Sequence, residues 1–264
     1  MSSPKVVVIT GGNGGLGYET VKALLKAEKP YHIFLGSRSP EKGKAAIATL
    51  QKEHPNATNT IEAIKLDLIS DEDIENAFEH IKTTKGHIDI LINNAGATWD
   101  IEYIGGNVSL REAFNQAYNT NVTGTNVLTA TFIPLLIKSA EPRLIFVAGL
   151  SNLTQAAENY FPTPELPAGW PKKLDFETIG YRCSKTALNM LMLDWNHKLK
   201  ADGVKVCCFG PGMMATNLGG NPEIAKAVGG LDPAISGGYL KQVVKGKRDA
   251  EMGKIIVKDG ICPW

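Results

Sequence analysis

Tyr181 and Lys185 stand four residues apart in the segment YRCSK. If this segment is helical, the two side chains share one face, because positions i and i+4 lie one turn apart. A free tyrosine titrates near pH ~10, and an ammonium group within about 4–6 Å favours the phenolate and lowers that pKa. The pair therefore predicts a proton donor that works near neutral pH. The alternative is a surface helix with an unrelated Tyr/Lys pair.

A glycine-rich turn, TGGNGGLG (10–17), lies far upstream of this pair. It follows a β-branched apolar run at 5–10, predicted as a buried strand, and precedes an amphipathic helical pattern at 18–29. Glycine lets backbone N–H groups approach a pyrophosphate without a Cβ clash, and the helix N-terminus adds partial positive charge. The order of strand, turn and helix favours a nucleotide site over a simple tight turn.

Composition limits the other classes of function. The chain has 264 residues, 43% of them hydrophobic, and a net charge of +1, so there is no electrostatic case for binding nucleic acid or an anionic membrane. No apolar stretch approaches the ~20 residues of a membrane span, and the N-terminal segment lacks a signal-peptide pattern. We expect a cytoplasmic protein. The four cysteines show no metal-ligand spacing, so we expect reduced thiols and no metal site.

Strand and helix patterns alternate along the chain. This alternation predicts an α/β fold, with a doubly wound, mostly parallel seven-stranded sheet and helices on both faces. We expect a single domain over residues 1–264, with its ligand at the carboxyl ends of the strands. Strands are predicted at 5–10, 31–38, 61–68, 88–96, 143–149, 204–212 and 254–260, and helices include 41–53, 71–82 and 109–139.

One segment, at about 150–180, breaks the alternation. Prolines at this density forbid a regular helix, and the four aromatic residues argue against disorder. We interpret it as an ordered substrate loop beside Tyr181; an oligomer contact or a surface insertion is the alternative. The residues concerned are Pro162, Pro164, Pro167, Pro171, Tyr160, Phe161, Trp170 and Phe176.

Taken together, the motifs resemble the short-chain dehydrogenase/reductase family over essentially the full chain. The insertion at about 150–180 and the terminal GICPW resemble most its fungal carbonyl-reductase-type members. TGGNGGLG matches the family's TGxxxGxG turn, and YRCSK matches its YxxxK motif. NNAG (93–96) matches the next signature, and PGMMAT (211–216) matches the PGxxxT segment that reaches the nicotinamide amide and the phosphates. The resemblance implies a Rossmann fold.

The resemblance also implies roles for individual residues. A nicotinamide cofactor passes hydride to a carbonyl carbon, and Tyr181 gives the developing alkoxide a proton. Lys185 holds the nicotinamide ribose hydroxyls and lowers the tyrosine pKa. Asp67 contacts the adenine amino group. Asn121 either holds a water that relays protons or makes a structural hydrogen bond to the backbone.

The cofactor contacts predicted in this way extend along much of the chain. They are Gly11, Asn13, Gly14, Gly15, Leu16, Gly17, Ser37, Arg38, Asp67, Leu68, Asn94, Ala95, Gly96, Tyr181, Lys185, Pro211, Gly212, Met214 and Thr216.

The end of the second predicted strand bears on cofactor choice. NAD sites usually place a carboxylate there to bind the ribose 2′-OH. Here Ser37 and Arg38 occupy the position, and the first carboxylate is Glu41. A guanidinium forms paired hydrogen bonds to a phosphate. NADP(H) is therefore favoured over NAD(H), unless Arg38 pairs locally on the surface.

A departure from the family pattern concerns the catalytic serine, which normally follows the fifth strand. Ala148 and Gly149 occupy that place, and the nearest hydroxyl is that of Ser151. Residues i and i+2 of an extended chain point to the same side, so Ser151 can replace the missing hydroxyl; it is equally a candidate solvated loop serine. Without a replacement, we expect slow reduction or different chemistry.

The leading hypothesis is an NADPH-dependent reductase of a bulky, possibly aromatic, ketone or aldehyde. Trp99, Tyr103, Met213 and Met214 suggest an apolar, adaptable pocket. The alternatives are a biosynthetic cyclase, isomerase or imine reductase on the same fold, and a non-catalytic NADP(H) sensor. Relatives pair as homodimers or homotetramers through the YxxxK helix and the long helix before it; a monomer is also open.

Overall fold

A single eight-stranded sheet forms the centre of the computed structural model, which describes residues 3–148, 153–160, 165–227 and 229–264. The strand order is β3-β2-β1-β4-β5-β6-β7-β8, and every neighbouring pair is parallel except β7 with β8. The strands are β1 (Lys5–Ile9), β2 (Tyr31–Ser37), β3 (Thr60–Lys65), β4 (Ile90–Asn93), β5 (Arg143–Val147), β6 (Lys205–Phe209), β7 (Ile255–Val257) and β8 (Gly260–Cys262).

Helices cover both faces of the sheet, as a doubly wound fold requires. They are α1 (Gly15–Leu25), α2 (Pro40–Glu53), α3 (Asp71–Thr84), α4 (Asp100–Ile104), α5 (Leu110–Tyr118), α6 (Thr125–Leu136), α7 (Leu153–Glu158), α8 (Ile179–Lys198), α9 (Pro222–Ala227) and α10 (Pro233–Val244).

The alternation of side chains along β1 divides the core into two layers. Val6 and Val8 are buried with residues of α3, α6 and α8, whereas Val7 and Ile9 are buried with residues of α1, α2 and α10. Strands buried on both faces read as continuous apolar runs, which is why the pattern at 5–10 is recognisable in the sequence. The predicted α/β fold with a mostly parallel sheet is confirmed.

Three details differ from the prediction. The segment at 150–180, where prolines were expected to forbid a regular helix, contains the short helix α7, whose six residues all precede the first proline of the segment. The predicted strand at 254–260 is a hairpin, because the chain turns at Lys258 and Asp259 and returns as β8, the eighth and only antiparallel strand of the described sheet. The predicted helix at 109–139 is α5 and α6 joined by a π-helical turn, Asn119–Gly124. A Cβ on Gly124 would collide with the Leu68 carbonyl oxygen, so the turn lies directly against the backbone that follows β3.

The order of the strands reverses between β1 and β4, because β2 and β3 lie on one side of β1 and the later strands on the other. Crevices at such a point, beyond the carboxyl ends of the strands, are where open α/β sheets bind ligands. None of the described helices is long and apolar enough to cross a membrane.

Candidate active site

The glycine turn after β1 has the backbone geometry of a cradle. Gly11 and Gly15 have φ angles of +63° and +52°, a region that side chains other than glycine rarely adopt. A Cβ on Gly17 would collide with the Gly11 carbonyl oxygen and would lie 2.6 Å from Asn94 Nδ2. Helix α1 therefore starts closer to the ends of β1 and β4 than a residue with a side chain at position 17 would allow.

The same turn borders an open cavity of about 360 Å³. Asn13, Gly14 and Gly15 form one wall, and Thr216 of the PGMMAT segment lies opposite. The Cβ position of Gly15 is 3.4 Å from Thr216 Cγ2, so a side chain there would enter the cavity. The remaining lining residues are Tyr18, Glu19, Ala215, Asn217, Pro222 and Pro233. Bare backbone at a helix N-terminus is the environment that a pyrophosphate requires, so these residues fit a dinucleotide.

The NNAG segment braces this turn through Thr10, a residue that the sequence analysis did not single out. Thr10 is buried, and its Oγ1 accepts hydrogen bonds from the backbone N–H groups of Asn94 (3.0 Å) and Ala95 (2.9 Å). Asn94 Nδ2 donates in return to the Thr10 carbonyl oxygen at 2.8 Å. The predicted cofactor residues Asn94 and Ala95 thus lie beside Gly11, and their bonds fix the shape of the turn.

Tyr181 and Lys185 lie in the first turns of α8, and the predicted i, i+4 pairing is present. Lys185 Nζ is 5.5 Å from the centre of the Tyr181 ring. The ammonium is fully enclosed and donates to the carbonyl oxygen of Val147, the last residue of β5, at 2.9 Å. The Cβ position of Gly96 is 3.1 Å from the same nitrogen, so a side chain there would crowd the lysine.

Burial governs the protonation of both groups. Tyr181 is partly exposed but largely surrounded by protein, and this burial raises the pKa of its phenol above the ordinary value. Burial lowers the pKa of Lys185 to about 8. Burial thus acts on the Tyr181 pKa in the opposite direction to the lowering expected from a neighbouring ammonium. The phenol is therefore protonated at neutral pH.

Asn121 lies in the π-helical turn, and its side chain is bound to protein groups. Its Oδ1 accepts from the Ala97 N–H at 2.8 Å, and its Nδ2 donates to the Ala97 carbonyl oxygen at 2.8 Å. The second Nδ2 hydrogen goes to Ser184 Oγ at 2.9 Å, and Ser184 donates to the Tyr181 carbonyl oxygen at 2.7 Å. This favours the structural interpretation of the side chain. Ser184 was missed, although it lies three residues after Tyr181 on the same helix face.

The first turn of α8 is also held by Asp100, which the sequence analysis missed as well. Its two carboxylate oxygens accept from the N–H groups of Gly180 and Tyr181, both at 2.9 Å. Asp100 is separated from these residues by about eighty positions, so no local pattern in the sequence indicates the contact.

The end of β2 places Arg38 on the surface and Ser37 inside. Ser37 is 2% exposed, and its hydroxyl donates to the Ser39 carbonyl oxygen, so its hydrogen is used within the turn. Arg38 is exposed. Glu41, the first carboxylate after β2, accepts from Ser39 Oγ at 2.9 Å at the start of α2. The side chain available to a ligand at this point is therefore that of Arg38.

The predicted adenine-side residues follow β3. Asp67 Oδ1 accepts from the Ile69 N–H at 3.3 Å, which closes a local turn, and the Leu68 side chain is buried in the core. Both follow the strand that pairs with β2, on the same side of the order-reversal point as Arg38.

The PGMMAT segment follows β6 and is fixed by its own contacts. The Pro211 carbonyl oxygen accepts from Ser236 Oγ at 2.8 Å, and Gly212 has a φ of +78°. Met214 pairs with Leu231 in an isolated bridge, and its partly buried side chain packs against the core. Leu16 is likewise a core residue, and only its backbone is available to a ligand.

Gly149 and Ser151, on which the replacement of the missing catalytic serine depends, lie outside the described residues. Ala148 is buried, and its N–H donates to the Phe209 carbonyl oxygen at 3.0 Å, so it belongs to the sheet. In the described part of the segment at 150–180, the Tyr160 ring lies 4.8 Å from the Arg182 guanidinium. This contact places the loop beside the residue that follows Tyr181.

Comparison with known proteins agrees with this geometry. The family model described as short chain dehydrogenase matches residues 5–160. A short-chain dehydrogenase/reductase of Talaromyces stipitatus, tropE, is 45% identical, with 98% of this chain and 97% of that protein covered. Another from Phoma, eupG, is 41% identical, with 100% and 99% covered. The chain belongs to the short-chain dehydrogenase/reductase family, and it is an oxidoreductase of that family.

Solved structures share the fold at low sequence identity. The NADPH-bound carbonyl reductase from chicken fatty liver superposes with a TM-score of 0.78 at 22% identity and covers 100% of both chains. The carbonyl reductase Sniffer of D. melanogaster gives a TM-score of 0.76 at 24% identity, covering 99% of this chain and 100% of that one. At these identities the comparison confirms the Rossmann fold.

Proposed function

We propose that this protein is an NADPH-dependent reductase of a bulky ketone or aldehyde, with Tyr181 as proton donor. The observation that carries the proposal is the position of Tyr181, one helical turn from a buried lysine whose Nζ is held at the end of β5. The same nitrogen lies 3.1 Å from the Cβ position of Gly96, in the segment after β4. The bound cofactor supplies a hydride to the carbonyl carbon.

The residues of the chain supply the proton and hold the reacting groups. Reduction leaves negative charge on the former carbonyl oxygen, and a protonated phenol within reach neutralises it. The phenol carries its proton at neutral pH, since burial raises its pKa above the ordinary value, and the charge that develops on the substrate oxygen drives the transfer. Lys185 is fixed by Val147 and has further N–H groups free to bind the hydroxyls of a ribose.

Arg38 supports the choice of NADPH. It is the exposed charged side chain directly after β2, where a ribose 2′-substituent is expected in this fold. Glu41 lies nearby, but its carboxylate is engaged at the start of α2 with Ser39. A guanidinium binds a phosphate through paired, charge-assisted hydrogen bonds, and the ribose hydroxyl of NADH offers no charge for it to pair with.

Replacing Arg38 by alanine is expected to weaken NADPH binding about 10–100-fold and to leave NADH binding within about twofold. The reason is that only NADPH carries the phosphate that the guanidinium would pair with. Fluorescence titration of both cofactors measures the two dissociation constants.

Lys52→Ala is the matched control, because it removes a positive charge from the opposite end of α2. About twelve residues of helix separate this end from the start, roughly 18 Å. It should leave both dissociation constants unchanged. Equal affinity of Arg38→Ala and the wild type for NADPH would show that Arg38 does not select the cofactor.

The substrate class follows from the apolar surface around Tyr181. Helix α4 contacts the start of α8 through Asp100, and its next residue, Ile101, reaches the segment after β6, with Cδ1 3.3 Å from the Cβ position of Gly220. Exposed apolar side chains lie on both of these segments and on the loop before α8: Ile101, Leu218, Ile224, Leu231, Leu166, Trp170 and Phe176. Such a rim suits an extended apolar or aromatic substrate better than a small polar one.

The test is NADPH oxidation by the purified protein with a panel of aromatic, polycyclic, aliphatic and sugar ketones. We expect kcat/KM for the aromatic and polycyclic ketones to exceed that for sugars by at least about 100-fold. The reason is that these substrates bury one or two more ring edges against the apolar side chains of the protein. Faster reduction of sugars would refute the proposed substrate class. Tight NADPH binding with no turnover of any ketone would favour the cyclase, isomerase or imine-reductase alternative.

A further inference from the structure

We infer that Asp100 is a positioning residue for Tyr181. Asp100 fixes the first turn of α8 and, with that turn, the Tyr181 phenol. Its role in catalysis rests on the proposed function of Tyr181. Asp100 is 3% exposed, and its carboxylate spans the backbone N–H groups of two consecutive residues, Gly180 and Tyr181. A third bond, from Thr98 Oγ1 at 3.0 Å, holds the carboxylate itself.

The beginning of α8 needs such partners, because the first N–H groups of a helix have no acceptor within it. Thr178, which precedes the helix, makes no capping hydrogen bond with its own side chain. Two carboxylates divide the task. Glu177 Oε1 accepts from the N–H groups of Thr178 (2.7 Å) and Ile179 (2.9 Å), and Asp100 accepts from the next two.

The packing at Gly180 is specific to this contact. A Cβ on Gly180 would lie 2.8 Å from Asp100 Oδ1 and 3.5 Å from Phe114 Cδ2. Only glycine lets the carboxylate come this close to the helix. The residue immediately before Tyr181 is therefore adapted to the approach of Asp100.

The main chain of Tyr181 is held from both sides. Asp100 accepts from its N–H, and Ser184 Oγ donates to its carbonyl oxygen. Ser184 is in turn bound by Asn121, which also clamps Ala97, three residues before Asp100. The loop 97–100 thus binds the first turn of α8 directly through Asp100, and indirectly through Asn121 and Ser184.

A pair of amide substitutions separates this role from simple capping. Asp100 uses both oxygens, one for each N–H, so Asp100→Asn keeps one acceptor and turns an NH2 group towards the other donor. Glu177 uses a single oxygen for both of its donors, so Glu177→Gln can keep both bonds. The first change should disturb the turn, and the second should not.

The first readout is amide hydrogen exchange of the peptide covering 179–184, which does not depend on turnover. We expect exchange in Asp100→Asn to be at least about tenfold faster than in the wild type, and unchanged in Glu177→Gln. The second readout is steady-state reduction, in which kcat should fall about 10–100-fold for Asp100→Asn, since small displacements of a reacting group cost this much. The dissociation constant of NADPH should change by less than about twofold, because Asp100 touches none of the predicted cofactor residues except Tyr181.

Gly180→Ala tests the same contact from the helix side without removing the buried charge. It should lower kcat in the same way, and in combination with Asp100→Ala it should add little, because the clash needs the carboxylate. This variant also keeps the test decisive if Asp100→Asn does not fold.

Unchanged exchange in Asp100→Asn, or full additivity of Gly180→Ala with Asp100→Ala, would overturn the inference. An unchanged kcat in Asp100→Asn would also overturn it, if the wild type reduces ketones. If the wild type reduces no ketone but exchange accelerates as expected, the proposed function fails while the control of the turn by Asp100 is upheld.

Discussion

Tyr181→Phe is expected to lower kcat for ketone reduction by about 10²–10⁴-fold, the range attributed to a positioned general acid. The phenol is the proton donor of the proposed reaction, and burial keeps it protonated at neutral pH. Phenylalanine preserves the ring and its packing, so the fold and the binding of NADPH should change little. Single-turnover NADPH oxidation and cofactor titration measure the two effects separately.

Tyr239→Phe is the matched control for this loss of a hydroxyl, because Tyr239 lies on α10 and packs on the opposite layer of the core from α8. It should keep kcat within about twofold. If Tyr181→Phe retained full activity, the proposed proton donor would be wrong, and the non-catalytic sensor would become the better hypothesis.

Lys185→Met is expected to abolish measurable reduction and, at neutral pH, to make the fold more stable. Burial lowers the Lys185 pKa from 10.5 to about 8. At ~1.4 kcal/mol per pKa unit, holding the ammonium in the fold costs about 3 kcal/mol at pH 7. The lost hydrogen bond to Val147 offsets about 1 kcal/mol. The net gain of about 2 kcal/mol corresponds to a rise of roughly 4–8 °C in Tm.

The pH dependence of stability identifies the cause. Between pH 8 and 10.5 the unfolded chain keeps the Lys185 proton and the folded protein releases it. Unfolding then takes up a proton, so this lysine makes the wild type more stable as pH rises through that window. The stability advantage of Lys185→Met should therefore shrink from pH 8 towards pH 10.5. Chemical denaturation at several pH values measures it.

Lys198→Met is the control, because Lys198 lies in the last turn of the same helix and is half exposed. Its substitution should change stability by less than about 0.5 kcal/mol. A Lys185→Met protein that is less stable than the wild type at pH 7 would show that the buried ammonium is not costly to the fold.

Local patterns were sufficient to predict the strands, the glycine turn and the Tyr/Lys pair. The apolar run at 5–10 is a buried strand, and Gly11, Gly15 and Gly17 lie where backbone geometry or close packing requires glycine. These features depend on neighbours in the sequence and on the period of each element. The antiparallel β8 was missed because its three residues are too few to show a period.

Contacts across the fold could not be predicted in this way. Asp100 and Thr10 bind backbone groups about eighty residues away; Asp100 stands in no recognisable motif, and the glycine motif that Thr10 opens does not indicate its partner. The direction of the Tyr181 pKa depends on how deeply α8 is enclosed, which the spacing of YRCSK does not reveal. For Asn121, the sequence left a water site and a backbone bond open, and only the position of Ala97 favours the second.

In the proposed reaction, hydride reaches a carbonyl carbon at the end of the sheet beside Tyr181. The most direct measurement is mass spectrometry of the product formed from an aromatic ketone and NADPH deuterated at C4 of the nicotinamide, with each C4 epimer used in turn. The proposed reaction predicts that one epimer gives an alcohol with deuterium at its carbinol carbon and the other gives none. Consumption of NADPH without deuterium in an alcohol from either epimer would contradict it.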